Sequence, residues 1–153
     1  MINNIIALGI LAEKMMAVTY RHLTVRFEKN AEAQKVLEGM VNDELAHALV
    51  MNKIKTLTED LDFGMQFLEQ FQQKQLAFVQ QAINLTLELQ EGARTTEDIL
   101  NQLIGMEKSL SENLFERLIN MVDEPLRTNF QKLSHESSDH EQNLKKLLQG
   151  IGE

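Results

Sequence analysis

The stretch Leu37-Glu38-Gly39-Met40-Val41-Asn42-Asp43-Glu44-Leu45-Ala46-His47-Ala48-Leu49-Val50-Met51 sets the reading of the whole chain. Leu37, Met40, Met51 and, just beyond, Ile54 recur at helical spacing on one face, the pattern of a helix turned toward a core. Between Met40 and Met51 the same face continues through Glu44 and His47, which are three residues apart and so adjacent on the helix surface. An apolar stripe with an acid and an imidazole at its middle needs something to offset them.

Three other segments repeat this pattern. The first reads Ile6, Ile10, Glu13, Ala17, Tyr20, Thr24, Phe27. Another reads Leu100, Leu103, Glu107, Leu110, Leu114, Leu118, Met121. The last reads Leu126, Phe130, Leu133, Ser137, His140, Leu144, Leu147. Each stripe is apolar at its ends and polar near its middle. Composition agrees with helices throughout. The 153 residues include 1 Pro and 7 Gly, too few for a turn-rich β architecture, and the helix formers Leu, Met, Glu, Gln, Lys and Ala dominate. The fold expected is all-α, one domain over residues 1–153.

Punctuation divides the chain. Lys29-Asn30 separates the first two core helices, with Asn30 as N-cap. Thr95-Thr96-Glu97-Asp98 opens the third, with a hydroxyl cap and acids in the first turn. Asp123-Glu124-Pro125 opens the fourth, and Gly150 and Gly152 are expected to end it. Between the pairs, Thr58 to Gly64 is a break, and Met65 to Glu91 is helical in pattern, with Phe67, Phe71, Phe78, Ile83 and Leu87 among many Gln and Gly92 as the stop. Such a helix of 27 residues spans about 40 Å. It can carry the chain from one end of a bundle to the other, so that the second and third core helices run parallel. The organisation is hairpin (3–57), crossover (58–94), hairpin (95–149). The two hairpins also repeat: a helix with a central Glu precedes a helix with a central His, 34 residues apart from Glu13 to His47 and 33 from Glu107 to His140.

The central polar residues carry the chemistry. Glu44-x-x-His47 alone is weak, since 17 Glu and 4 His make a chance pair common. Position is the stronger argument. Glu13, Glu44, His47, Glu107 and His140 all sit midway along inward stripes, and three carboxylates at one level repel each other and resist burial. No Lys or Arg lies at the middle of the stripes. A pair of divalent cations resolves the conflict, and carboxylate oxygen with imidazole nitrogen suits iron, manganese or zinc. A polar seam satisfied without metal is the alternative for each residue. His22 and His135 fall off the seam and are expected in solvent. The absent cysteines exclude disulfides, thiolate metal sites and a thiol nucleophile. The net charge of −8, with no basic run, argues against nucleic acid and anionic membrane as partners. Met1-Ile2-Asn3-Asn4 lacks a basic leader region, and Glu13-Lys14 is expected to cut the apolar N-terminal stretch short of a signal or spanning segment. The expected location is cytoplasmic.

These residues carry a resemblance. A Glu from each of two helices and a Glu-x-x-His from each of two others is the ligand pattern of ferritin-like dimetal carboxylate bundles. The chain resembles the rubrerythrin branch of that superfamily. The likeness rests on Ala12-Glu13-Lys14 with Tyr20, Asp43-Glu44-Leu45-Ala46-His47-Ala48, Ile104-Gly105-Met106-Glu107-Lys108 with Leu114-Phe115-Glu116, and Leu133 to Leu144 around His140. The resemblance implies a ferritin-like four-helix bundle holding two iron ions. Glu13 and Glu107 would be terminal ligands, Glu44 the bridge, and His47 and His140 one ligand each. Tyr20, hydrogen-bonded near the site, would be the candidate catalytic side chain, with core packing as the alternative.

Two positions depart from the family pattern. Ser137 stands where a second bridging Glu belongs, three residues before His140, which predicts a weak second metal site. Glu136, four residues before His140, is the candidate substitute. Leu110 stands where rubrerythrins carry a further Glu. The cysteine-bearing rubredoxin unit has no counterpart in this sequence, so electrons would come from an external donor. The implied function is a di-iron oxidoreductase acting on peroxide or dioxygen. An iron-handling, ferroxidase-type protein and a structural bundle with a degenerate site are the alternatives. The long crossover, apolar on more than one side, predicts a homodimer.

Overall fold

The computed structural model describes residues 2–58 and 64–151, apart from the side chains of 112–114. The chain is all-helical, with no strand among the described residues. Helix α1 (Ile2–Thr24) continues into a 3-10 turn (Val25–Phe27), and α2 spans Ala31–Leu57. Helix α3 is Met65–Glu91 and α4 is Thr96–Lys108. A π-helical segment (Ser109–Phe115) joins α4 to α5 (Glu116–Ile119), and α6 is Leu126–Ile151.

Local chemistry accounts for most boundaries. The Asn30 side chain accepts the Ala33 N–H at 3.0 Å, starting α2. Thr95 Oγ1 accepts the Asp98 N–H at 3.1 Å, and its own hydroxyl donates to Asp98 Oδ2 at 2.8 Å. Gly92, at φ 67°, ends α3 in a left-handed cap that only glycine adopts without strain. The far end differs from expectation: α6 passes through Gly150 to Ile151. A glycine costs a helix only about 1 kcal/mol, too little to stop one unaided. Residues 59–63, part of the expected break, and Gly152 lie outside the described residues.

Helices α1 and α2 form one hairpin, and α4–α5 with α6 form another. Contacts fix the directions. His47 meets Glu136 while Glu44 meets His140, so α2 and α6 are antiparallel. Glu107 lies by His140, Ser111 by Ser134 and Phe115 by Phe130, so α4 is also antiparallel to α6 and runs with α2. Helix α3 lies along α1 in the same direction, pinned by a buried Thr19–Thr86 hydroxyl pair at 2.8 Å and a Gln90–His22 hydrogen bond at 3.2 Å.

One core runs through all these helices. The α1, α2 and α6 stripes face it as their spacing requires, with Ile10, Thr24 and Leu147 partly buried at the edges. The third stripe shifts. Phe115, Leu118 and Val122 are buried, while Met121 is 45% exposed, and the Leu114 side chain lies outside the described residues. A π turn takes up one extra residue, so Phe115 and Val122 turn inward beyond it, while Leu118 keeps its expected place. Ile83 and Leu87 on α3 are likewise exposed, at 38% and 50%.

Ile2–Phe27 is long and apolar enough to cross a membrane, with mean hydropathy 1.3 in its most apolar window. Glu13 and Lys14 therefore do not cut the stretch short, contrary to expectation. Its inward face, including Ile5, Met16, Tyr20 and Leu23, is buried in the core.

Candidate metal centre

Four helices deliver five side chains to one level of the bundle. Glu13 comes from α1, Glu44 and His47 from α2, Glu107 from the last turn of α4, and His140 from α6. All five are buried. Each sits at a stripe position, so the apolar residues one turn either side drag it inward.

The five form two overlapping groups. Donor atoms of Glu13, Glu44 and His47 lie within 4.8 Å of one another, and so do those of Glu44, Glu107 and His140. Glu44 belongs to both. Its Oε2 is 3.1 Å from His47 Nδ1, and its Oε1 is 3.0 Å from His140 Nδ1. Glu13 Oε2 is 3.3 Å from His47 Nδ1, and Glu107 Oε1 is 3.4 Å from His140 Nδ1. The two imidazole rings stack, with centroids 5.6 Å apart. Each group therefore has two carboxylates and one imidazole nitrogen, arranged on either side of Glu44.

Protons offset the carboxylates in this arrangement. Burial pushes the His47 imidazole down, but hydrogen bonds and charge from Glu13 and Glu44 outweigh it and raise its pKa to about 10. Burial acts the same way on His140, and Glu107 and Glu44 raise it to about 11. Glu13 is raised to about 8 by burial and by the Glu44 charge, against the pull of His47. At neutral pH the two imidazoles hold protons, and those protons do the neutralising that Lys or Arg would do elsewhere.

Tyr20 is fully buried, and its hydroxyl donates to Glu107 Oε1. Burial and then the Glu107 charge hold the phenol well above its ordinary pKa, so it stays a donor. Its ring lies edge-on to His140 at 6.1 Å. The second carboxylate oxygen of Glu107, Oε2, is buried without a partner.

The outer ring nitrogens are also engaged. His47 Nε2 meets Glu136 Oε2 at 2.9 Å, and His140 Nε2 meets Asp43 Oδ2 at 3.2 Å. Glu136 thus lies on the far side of the His47 ring from the carboxylate cluster and is partly exposed, not beside Glu44 in the place left by Ser137. Ser137 is buried. Helices α2 and α6 each supply a histidine and the carboxylate that holds the other helix's histidine. Asp43 was missed by stripe analysis because it faces outward, yet its position next to Glu44 was a usable signal. His135 is mostly exposed, 3.9 Å from Asp139.

Each of the two groups could hold a metal ion. The set is hard oxygen and borderline nitrogen, both inner nitrogens are Nδ1, and each outer nitrogen has a carboxylate that fixes the tautomer. The unpartnered Glu107 oxygen is an acceptor awaiting a cation or a donor. No family model, curated protein or solved structure matches this chain.

Proposed function

We propose that the protein is a ferritin-like dimetal carboxylate protein of rubrerythrin type, binding two iron ions at one buried centre. The observation that carries the reading is Glu44, a single buried carboxylate shared by two carboxylate–carboxylate–imidazole groups. Glu13, Glu44 and His47 would hold one ion; Glu44, Glu107 and His140 would hold the other. An iron pair supplies one electron from each ion, which makes a two-electron reduction of peroxide or dioxygen available at one site. The chain's own part is to bind and orient. Tyr20 fixes one oxygen of Glu107 and holds a proton at its hydroxyl. Asp43 and Glu136 orient the two imidazoles. The apolar residues of the stripes exclude bulk water. Electrons would reach the centre from an external donor, and the molecule is read as a cytoplasmic homodimer, with exposed Leu11, Val18, Leu45 and Leu49 offering an apolar face.

Metal analysis of protein purified without oxygen tests the reading. Two irons per chain are expected, with none retained by Glu44→Ala. Metal content unchanged in that variant would sink it. Mixing the ferrous protein with peroxide or dioxygen then separates a peroxide-reducing enzyme from an iron-handling one by which oxidant reacts faster. Ser137 favours a second reading, a structural bundle with a degenerate site. No thermal stabilisation by any divalent ion would establish that reading instead.

A further inference from the structure

Helices α1 and α3 run side by side in one direction and share an outer face. Beneath that face the Thr19–Thr86 hydroxyl pair is buried, and on it His22 and Gln90 hydrogen-bond at 3.2 Å. The surface bond fixes which residues lie together. Val18 and Val25 are one turn either side of His22, with Leu11 further back on the same row. Leu87 is one turn before Gln90, with Ile83 and Leu76 behind it. These apolar side chains are 38% to 66% exposed and form two rows along one seam. A contiguous apolar surface of this kind marks a contact site. The two helices, of 23 and 27 residues, present a face about 35 Å long and about 20 Å wide. That is roughly 700 Å², close to the ~800 Å² each partner contributes to a stable dimer.

Charge decides what covers this face. Glu13 is the only acid between Ile2 and Phe27 and it is buried, so the exposed charges of the α1 row are Lys14 and Arg21. The α3 row is closed by acids, Glu69 before Leu76 and Glu91 after Leu87, which turn it away from anionic lipid. Arg21 and Glu91 are both exposed, and neither is ion-paired among the described residues. We infer that this face pairs with the same face of a second copy, α1 of each chain lying along α3 of the other. The inference rests on the homodimer reading above and assigns its contact to α3 in place of Leu45 and Leu49 on α2. Two arrangements bring identical faces together. A two-fold axis across the helices lays α1 antiparallel on the partner's α1, with Lys14 opposite Arg21 in both directions. An axis along the helices lays α1 on the partner's α3, at the level the two already share within one chain. Thr19 and Thr86 mark that level, so Leu11 falls between the partner's Leu76 and the partner's Ile83, and Val18 between the partner's Ile83 and the partner's Leu87. Arg21 then falls within one turn of the partner's Glu91. Only this second arrangement joins apolar rows and opposite charges together.

Sedimentation equilibrium of the full chain tests this, with circular dichroism as the check that each variant folds. A dimer is expected. Ile83→Lys with Leu87→Lys should raise its dissociation constant at least about tenfold, and Arg21→Glu alone by about threefold or more. Arg21→Glu combined with Glu91→Arg should recover the original value. Leu45→Lys with Leu49→Lys should leave it unchanged. A chain that is monomeric at every concentration would overturn the homodimer reading and this contact together. A dimer that survives the α3 substitutions and dissociates with the α2 pair would overturn the contact alone. So would failure of the exchanged charges to recover affinity. Binding of a monomeric chain to phosphatidylglycerol vesicles would make the face a lipid site, and the assignment would fall.

Discussion

Replacing Glu44 by glutamine keeps the shape of the side chain and removes its charge, and both imidazoles should register the loss. His47 and His140 each hold a proton well above the ordinary imidazole value, and Glu44 contributes to both shifts. In metal-free Glu44→Gln the two histidine titrations, followed by NMR, should move toward neutrality; titrations that stay put would show that Glu13 and Glu107 suffice alone. The same protons predict what metal does. His47 and His140 must each lose a proton to act as ligands, so loading both positions near pH 7 should release protons from the two imidazoles. Calorimetry in buffers of different ionisation enthalpy counts them, and metal uptake with no release would contradict ligation by these side chains. Asp43 and Glu136 act one step out. Asp43→Asn and Glu136→Gln should each lower metal affinity by roughly 10–100-fold without changing stoichiometry, because they fix ring orientation and not the number of donors. Stoichiometry falling to one ion in Glu136→Gln would make Glu136 a ligand after all.

At the scale of elements, the π segment between α4 and α5 is the main irregularity, and it begins two residues after Glu107. A π turn holds one residue more than the α-helix needs. Deleting Asn113 should let α4 and α5 merge into one α-helix while Phe115, Leu118 and Val122 keep their inward positions. The expected result is unchanged or higher thermal stability with weaker metal binding, read by melts and by metal titration of one preparation. A collapse in stability would mean that the extra residue is needed for packing. This segment also marks where sequence reading stops. Helix α3 was legible to the residue, because Gly64 and Gly92 bracket it, and the caps at Asn30 and Thr95 were legible because their chemistry is local. The step from Leu114 and Met121 to Phe115 and Val122 was not, since Leu114, Leu118 and Met121 make a plausible stripe on an unbroken helix. The convergence of Glu13, Glu44, His47, Glu107 and His140 followed from stripe register. The placement of Glu136 did not, because four residues of separation from His140 fixes a helix face but not which neighbour the side chain reaches.

For the whole molecule, metal bound at the cluster would make stability depend on pH in the opposite sense from that of the metal-free chain. Glu13, at about 8 in the fold, and His47 and His140, at about 10 and 11, all stand above their ordinary values of 4.5 and 6.5. The folded metal-free chain therefore binds more protons than the unfolded chain across the interval, and its stability must fall as pH rises. Glu13 contributes fully below about pH 4.5 and its share is lost on the way to 8; the histidines contribute fully below about 6.5 and theirs is lost on the way to 10 and 11. Each linked proton is worth about 1.4 kcal/mol per pH unit, and each kcal/mol shifts Tm by roughly 2–4 °C in a chain of this size. Bound metal reverses the slope, because it competes with those same protons and binds more tightly as they leave. Melts from pH 6 to pH 9, with chelator or with excess ferrous ion under anaerobic conditions, should diverge: Tm falls with pH in the first series and holds or rises in the second. Parallel curves would mean that the ion does not displace the cluster's protons, and the buried residues would then be a polar seam that neutralises itself.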